Sequence, residues 1–226
     1  MKTLPGKRKV SGLTLIELLV VIAVIAILAA MLLPTHSGPR RAISVMCMSN
    51  QKQIAIALIM FQDDHGGKYP WQVPATNNGS LELVSNGLAS VQFLTIATNL
   101  GNRSQILICP MDKSRQAATN FSRLTNTNIS YFLNLDAVTN MKNTLGADSI
   151  LSGDRNLEFA LKQINSGIFV QTTNTMLKWS EGFHGSPNKR YGIFAFADGH
   201  AQSVRQEDLN KMLNSQPFAT NRFCFP

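Results

Sequence analysis

The sequence predicts an α+β fold in which a long N-terminal helix packs on an antiparallel β-sheet head. An apolar run extends from 13 to 33 and contains a single charged residue. From 40 to about 63 the apolar residues recur at helical spacing, as they do on an amphipathic helix. Beyond 66, short apolar segments alternate with Asn, Thr, Gly and Asp, which favours short antiparallel strands joined by turns.

The apolar run is long enough to cross a membrane. Its 21 residues, Leu13 to Leu33, reach about 30 Å as a helix, which matches the hydrocarbon core of a bilayer. Basic residues that flank a membrane span stay on the cytoplasmic side. A basic leader is therefore expected in the cytoplasm, and the chain after the apolar run on the opposite side of the membrane. The basic residues of the leader are Lys2, Lys7, Arg8 and Lys9.

Two ordinary interpretations of this run leave a feature unexplained. A secretory signal peptide has an uncharged apolar core of about 7–15 residues, whereas this run is longer and contains Glu17. A plain membrane anchor explains the length but not the acid. A carboxylate within the membrane costs about 2–3 kcal/mol and usually marks a function.

A third interpretation accounts for both features. The stretch KVSG (9–12) followed by LTLIELLVVI (13–22) closely resembles the class III leader of type IV pilins and type II secretion pseudopilins. The resemblance implies that a membrane-embedded prepilin peptidase cuts after Gly12 and that the new N-terminus, Leu13, is methylated on its α-amine. Glu17 and Pro34 fall on the glutamate and the proline of that family. Leu13 departs from the Phe that usually leads the mature chain.

The chemistry of each of these residues suits the step that the resemblance implies for it. Gly12 has no side chain, so a protease can hold the scissile backbone closely. Glu17 is costly to leave unpaired in lipid, and the resemblance implies that it pairs with the Leu13 amine of a neighbouring subunit and fixes the register of assembly. Pro34 removes a helix donor and loosens the helix there. We therefore assign a leader at 1–12 and a transmembrane assembly segment at 13–34.

A second helix is predicted after a short break. The residues Thr35 to Pro39 interrupt the first helix, and helical spacing resumes at Arg40. Asp63 to Gly67 end it with two glycines, a common helix stop. We assign an amphipathic helix at 35–65 and a globular head at 66–226. The apolar stripe of the second helix is Ile43, Cys47, Ile54, Leu58 and Phe61.

The head is predicted to contain one further helix, Leu88 to Leu100, closed by Gly101. Strands are expected where β-branched and aromatic residues cluster between turn signals. The strand candidates are Gln105–Cys109, Ile129–Leu135, Ser149–Ser152, Thr175–Trp179, Tyr191–Ala197 and Ala201–Val204.

A second resemblance covers this head. Its motifs, in their order, are similar to those of the large pilin-like proteins of Verrucomicrobia and Planctomycetes, and they imply a pilin-like head. Those proteins are sometimes described by a His, nine residues, then Asp-Gly. Here thirteen residues separate His184 from Asp198. The motifs are CMSNQKQI (47–54), ICPMD (108–112), SYF (130–132), LSGDRN (151–156) and FADGH (196–200).

Three cysteines leave the disulfide pattern open. In a head outside the cytoplasm disulfides persist, and three cysteines allow one bridge. A Cys47–Cys109 bridge is favoured because it would attach the helix to the sheet. The alternatives are a bridge between Cys109 and Cys224, or three free buried thiols.

The remaining chemistry-bearing residues favour turns over a catalytic site. An Asp-Gly pair after an apolar strand first indicates a hairpin turn. The sequence has no zinc-ligand spacing, nucleophile elbow or phosphate loop, so no catalytic residue, metal or cofactor is assigned. Calcium held by oxygen ligands, as in some pseudopilin heads, stays a minor alternative. A hydrolytic or metal site would draw on Asp154, Glu181, His184, Asp198 and His200.

The sequence thus predicts a structural subunit of a type II secretion-like pseudopilus rather than an enzyme. Expected partners are prepilin peptidase, other pilin-like subunits, an inner-membrane assembly platform and lipid. Four of the 21 basic residues lie in the leader, so the mature chain is modestly basic and nucleic acid is not expected. We expect a single-pass bacterial inner-membrane protein with a periplasmic head, assembled into a periplasm-spanning or surface filament. The alternatives are a major or minor type IV pilin whose head binds DNA, a glycan or a surface, and an anchored periplasmic enzyme.

Overall fold

The computed structural model describes residues 12–32, 38–137, 149–180, 183–186 and 189–226. The chain divides into two compact units, Met1–Pro39 and Arg40–Pro226. Helices lead the chain and an antiparallel sheet follows them, so the predicted α+β class is confirmed. The expectations for the leader up to Ser11 and for Pro34 lie outside the described residues.

The first unit contains helix α1, Leu15–Leu32. Every described side chain from Leu13 to Ala30 is exposed, although the segment is almost wholly apolar. A helix that is apolar on all sides normally lies in lipid or among other helices. The surface of α1 is therefore suited to a bilayer or to neighbouring copies rather than to water.

Helix α2, Gly38–Asp64, provides the core stripe of the second unit. It begins two residues earlier than the predicted Arg40, since Pro39 is compatible with a first helical turn. One side of α2 is buried through Cys47, Ile54 and Leu58, all at 0% exposure. The helix ends where the amide of Gly67 donates to the carbonyl of Gln62 at 2.9 Å, with Gly67 in the left-handed region at φ 82°.

The head contains ten strands and two further helices among the described residues. Seven strands form one antiparallel sheet in the order β5-β10-β1-β2-β8-β7, with β9 paired to β8, and three form a small sheet in the order β4-β3-β6. The helices are α3 (Ala89–Thr95) and α4 (Gln206–Asn214). The strands are β1 (Tyr131–Asn134), β2 (Ile150–Asp154), β3 (Leu157–Phe159), β4 (Lys162–Gln163), β5 (Gly167–Thr172), β6 (Leu177–Trp179), β7 (His184–Ser186), β8 (Lys189–Phe196), β9 (Ala201–Arg205) and β10 (Thr220–Phe225).

The central strands of the large sheet, β1 and β2, are buried on both faces. Successive side chains of a strand point to opposite faces, and β1 shows the result. Tyr131 and Leu133 belong to the core cluster that contains the buried residues of α2. Phe132, between them, belongs to a second cluster that contains Trp179 of β6 and Leu209 of α4. The sheet therefore separates two cores, one on the α2 side and one on the α4 side.

Two local predictions for the head are wrong. The predicted strand Gln105–Cys109 is replaced by a 3₁₀ turn, Ser104–Leu107. Ile106 and Leu107 are both buried although they are consecutive, so the segment lacks the alternation of a half-exposed strand. The predicted helix Leu88–Leu100 is helical only from Ala89 to Thr95, after which the chain continues in turns.

Candidate functional site

The junction between leader and helix is accessible. Gly12, Leu13 and Thr14 precede α1 without regular structure, and all three are exposed. A side chain added at Gly12 would meet no other atom within 4 Å, so the glycine is not required by packing. An unstructured, exposed peptide bond after Gly12 is the form in which a protease can take up a substrate.

Thr14 and Glu17 form a reciprocal cap on the first turn of α1. The amide and the hydroxyl of Thr14 donate to Oε2 of Glu17 at 2.8 and 2.7 Å, and the amide of Glu17 donates to the Thr14 hydroxyl at 3.3 Å. This is a capping box, which satisfies helix donors that would otherwise lack partners. It holds the carboxylate of Glu17 at the start of the helix, bonded to Thr14, the residue next to Leu13.

Two apolar helices differ in how their surfaces are used. Within the described ranges, Ala42–Asp64 is the helix that meets both length and hydropathy for a membrane span, and Leu15–Ala30 is a shorter apolar helix. The first of these is part of α2, whose Ile54 and Leu58 lie in the head core. The buried helix of a head core meets the length and hydropathy criteria as readily as a membrane helix does. Because the described side chains of α1 are exposed and those of α2 are partly in the core, α1 is a better candidate for a membrane anchor than α2.

A disulfide joins α2 to the head. Cys47 and Cys109 are bonded, with their Cα atoms 5.1 Å apart, and both are completely buried. Cys109 follows the 3₁₀ turn that replaced a predicted strand, and the side-chain amide of Asn50 on α2 donates to the carbonyl of Ile108 at 2.9 Å. Cys224 is a free buried thiol, and burial raises its pKa to about 12.

A histidine lies directly against this disulfide, and an aspartate contacts the histidine. Nε2 of His184 is 3.5 Å from Sγ of Cys109 and 3.3 Å from Oδ2 of Asp154. Both side chains are completely buried. On the other side of the ring, Nδ1 is 3.4 Å from the hydroxyl of Ser44, which is 2.8 Å from the hydroxyl of Tyr191. The imidazole also stacks on the Tyr191 ring at 5.2 Å, so its position is fixed from several directions.

Asp154 has one satisfied and one unsatisfied oxygen. Oδ2 accepts from the backbone amide of Ile193 at 2.7 Å. Oδ1 is buried without a hydrogen-bond partner in the part of the chain that the structure describes. Burial raises the pKa of Tyr131 well above its usual value, and the charge of Asp154 raises it further. The carboxylate of Asp154 thus influences its buried neighbours.

The Asp198–His200 segment forms a turn and not part of this cluster. It connects β8 to β9, with Gly199 at φ 85°, as the sequence predicted for an Asp-Gly pair. The amide of His200 donates to Oδ1 of Asp198 at 2.9 Å, and its ring contacts the same oxygen. Partial burial opposes ionisation, but these hydrogen bonds hold the pKa of Asp198 below its ordinary value. Of the other candidates, Glu181 lies outside the described residues.

A buried ion pair, which was not predicted from the sequence, joins the motif ICPMD (108–112) to the motif LSGDRN (151–156). Nε of Arg155 donates to Oδ2 of Asp112 at 2.8 Å, and a terminal nitrogen donates to Oδ1 at 3.0 Å. The hydroxyl of Ser130 donates to the same carboxylate at 2.9 Å. Arg155 also lies over the ring of Phe183 at 5.4 Å, next to His184. The pair is structural, since both partners are buried and satisfied by each other.

Comparison with known proteins identifies the N-terminal segment. Residues 7–33 match the family model of the prokaryotic N-terminal methylation motif. No curated protein and no solved structure is detectably similar to the chain. The match covers the residues just before Gly12, the accessible bond after it and the whole of α1, and it supports a type IV pilin-like, prepilin-processed protein.

Proposed function

We propose that this chain is a structural subunit of a type II secretion-like pseudopilus. The single observation that carries the proposal is the match of residues 7–33 to the prokaryotic N-terminal methylation motif. An α1 helix that exposes apolar side chains on all sides and an α+β head support it. The role is mechanical, since apolar helices pack in a central bundle while the heads face outward.

Processing comes first in this proposal. Prepilin peptidase cuts the accessible bond between Gly12 and Leu13 and leaves a free α-amine on Leu13, which is then methylated. Methylation keeps the positive charge of an amine. The mature chain therefore begins with a cation one residue before the Thr14–Glu17 cap.

Assembly then uses Glu17. In the isolated chain Thr14 donates two hydrogen bonds to its carboxylate. In a filament the Leu13 amine of a neighbouring subunit supplies a charged partner, and removal of both groups from water makes an unmatched charge costly. A subunit inserted out of register would leave the acid unpaired. Glu17 thereby selects the register, and Pro34 allows the helix to adjust after the membrane segment.

The location follows from the same segment. The basic leader stays in the cytoplasm, α1 spans the inner membrane, and the head lies in the periplasm. The disulfide between Cys47 and Cys109 suits an oxidising compartment. Partners are prepilin peptidase, other pilin-like subunits, the assembly platform and lipid. The role needs no cofactor and no nucleic acid.

Mass spectrometry of the membrane-extracted protein tests the processing step. With prepilin peptidase present, the chain should begin at Leu13 with one added methyl group, and without it the chain should keep its leader. Gly12→Val should block the cut, whereas Gly6→Val, a matched change at the other glycine of the leader, should leave it intact. A wild-type chain that keeps its leader beside an active peptidase would overturn the proposal.

Imaging of labelled heads on cells separates a pseudopilus from a pilus. We expect heads confined to the periplasm. Long surface filaments would overturn the secretion role and favour a pilin whose head binds DNA, a glycan or a surface. Such an outcome leaves the processing result unaffected.

A further inference from the structure

The disulfide and the histidine beside it contain the donor atoms of a metal site. The Sγ atoms of Cys47 and Cys109 and a ring nitrogen of His184 lie within 4.8 Å of one another. Oδ2 of Asp154 lies 3.3 Å from Nε2 of His184. The four residues come from α2, the segment after the 3₁₀ turn, β7 and β2. Neither processing nor assembly of α1 requires this cluster.

Two of the separations match those between ligands of one zinc ion. Ligands at about 2.3 Å for sulfur and about 2.0 Å for nitrogen or oxygen, arranged as a tetrahedron, lie about 3.3–3.8 Å apart, so the two sulfurs must move apart once their bond is reduced. Nε2 of His184 is 3.5 Å from the Cys109 sulfur and 3.3 Å from the Asp154 oxygen. The imidazole is thus already placed at ligand distance from two other donors.

The charges of the cluster favour a cation. Asp154 is completely buried, and its Oδ2 lies 3.3 Å from Nε2 of His184. Its Oδ1 is buried without a hydrogen-bond partner among the described residues. Arg155, the next residue along the chain, is paired with Asp112. A divalent ion would supply the positive charge that this interior lacks.

We propose that, when the Cys47–Cys109 disulfide is reduced, Cys47, Cys109, His184 and Asp154 bind one zinc ion. The surrounding residues already hold the ligands in place. The Ser44 hydroxyl lies 3.4 Å from Nδ1 of His184, which leaves Nε2 directed at the sulfur. Such outer contacts orient metal-binding histidines.

The disulfide and the metal exclude each other. A dithiol reductant breaks the S–S bond, supplies two electrons and two protons, and is itself oxidised to a disulfide. The two thiols then lose their protons to solvent as zinc binds the thiolates. Because all the ligands are buried, the ion is loaded during folding and acts as the cross-link that the disulfide otherwise provides. The chain thus has two cross-linked forms, one oxidised and one metallated.

The test refolds the full chain in detergent with a phosphine reductant and cobalt(II) as a spectroscopic probe for zinc. We expect one cobalt per reduced chain with the thiolate-to-cobalt absorption of a tetrahedral site, and none bound to the oxidised chain. His184→Asn should weaken binding at least about 100-fold, since even outer residues contribute 10–100-fold. The matched control is Cys224→Ala, which removes the cysteine outside the cluster and should bind as the wild type does.

A second measurement needs no variant. X-ray absorption of the zinc-loaded, reduced wild type should show two sulfur neighbours at about 2.3 Å and two nitrogen or oxygen neighbours at about 2.0 Å. A folded, reduced chain that binds no cobalt or zinc would overturn the inference. A zinc site with sulfur ligands alone, or binding that His184→Asn leaves unchanged, would do so as well.

Discussion

Removal of the Cys47–Cys109 disulfide should destabilise the head by several kcal/mol. The bond closes a loop with a sequence separation of 62 residues. In the chain-entropy description, a loop of this length restricts the unfolded chain by about 4 kcal/mol at 25 °C. The perturbation is the double variant Cys47→Ala/Cys109→Ala, which removes the cross-link and two buried sulfur atoms while leaving small apolar side chains.

The position of the loop adds to this effect. All residues between 48 and 108 are described, and they form helices and turns with no strand. The hydrogen bonds of the large sheet therefore do not hold this part of the chain, and the disulfide ties its far end back to α2. The segment should lose order before the sheet does.

Tryptophan fluorescence in urea measures the loss. Both tryptophans of the chain are in the head, with Trp71 inside the closed loop and Trp179 in the core on the far side of the sheet. A slope of about 3 kcal/mol per molar urea turns the expected loss into a midpoint about 1 M lower. Cys224→Ala is the control, since it removes a buried thiol that forms no bridge. A double variant within about 1 kcal/mol of this control would refute the reasoning.

Three further changes have defined outcomes. Glu17→Val should leave the protein in the membrane but reduce cross-linked multimers at least about ten-fold, because a loss of about 1.4 kcal/mol in association free energy already lowers the association constant ten-fold. Cross-linking followed by gel analysis measures the multimers. Gly153→Ala should cost about 3 kcal/mol in urea unfolding, because the new Cβ would lie 2.4 Å from Phe194 Cδ1. Stability should fall with pH below about 4, and acid titration of unfolding measures it. Burial opposes ionisation of Asp112, but the contacts of Arg155, Ser114 and Ser130 together outweigh burial and hold the pKa of Asp112 under its ordinary 3.8.

Each change has a matched control. Leu18→Val, beside Glu17, should assemble normally, and equal loss in both variants would contradict a role for the charge. Ser152→Ala, beside Gly153, should be near neutral because its buried hydroxyl has no partner among the described residues. Asp112→Asn should lower the free energy of unfolding by about 3 kcal/mol at neutral pH. It should also reduce the fall in stability at acid pH. In the wild type, Asp112 contributes its stability above its pKa in the unfolded chain, and that stability is lost as the pH falls through the lower pKa of the folded state. An unchanged acid profile in that variant would exclude the ion pair as the cause.

The sequence predicts the fold well where one periodicity persists. The stripe from Cys47 to Phe61 extends over several helical turns, and the structure has α2 there. The strand predicted at Tyr191–Ala197 is observed as β8, Lys189–Phe196. Helix α4 was missed although Leu209 and Leu213 are spaced as buried neighbours on one face. Its nine residues hold only these two buried positions, and a stripe of that length does not stand out from the surrounding sequence.

Strand positions that depend on partners were harder to predict. The missed strand β5 exposes Val170 and half-exposes Ile168, so its apolar residues do not mark a buried face. β5 is held by β10, which pairs with it over six residues and also pairs with β1. Such pairing joins segments far apart in sequence, and a local pattern does not contain it.

The cluster around His184 was predicted only in part, for the same reason. His184 and Asp154 are both among the candidate residues taken from the sequence, but the contacts of His184 with Asp154 and with Cys109 were not predicted. The structure brings His184 and Asp154 together because β7 and β2 are the two neighbours of β8 in the main order of the sheet. His184 lies opposite Tyr191, and Gly153, beside Asp154, lies opposite Phe194. Distance along the chain is not preserved by sheet order, so a histidine and an acid on the two strands that flank a third can lie 3.3 Å apart although their spacing in the sequence does not indicate it.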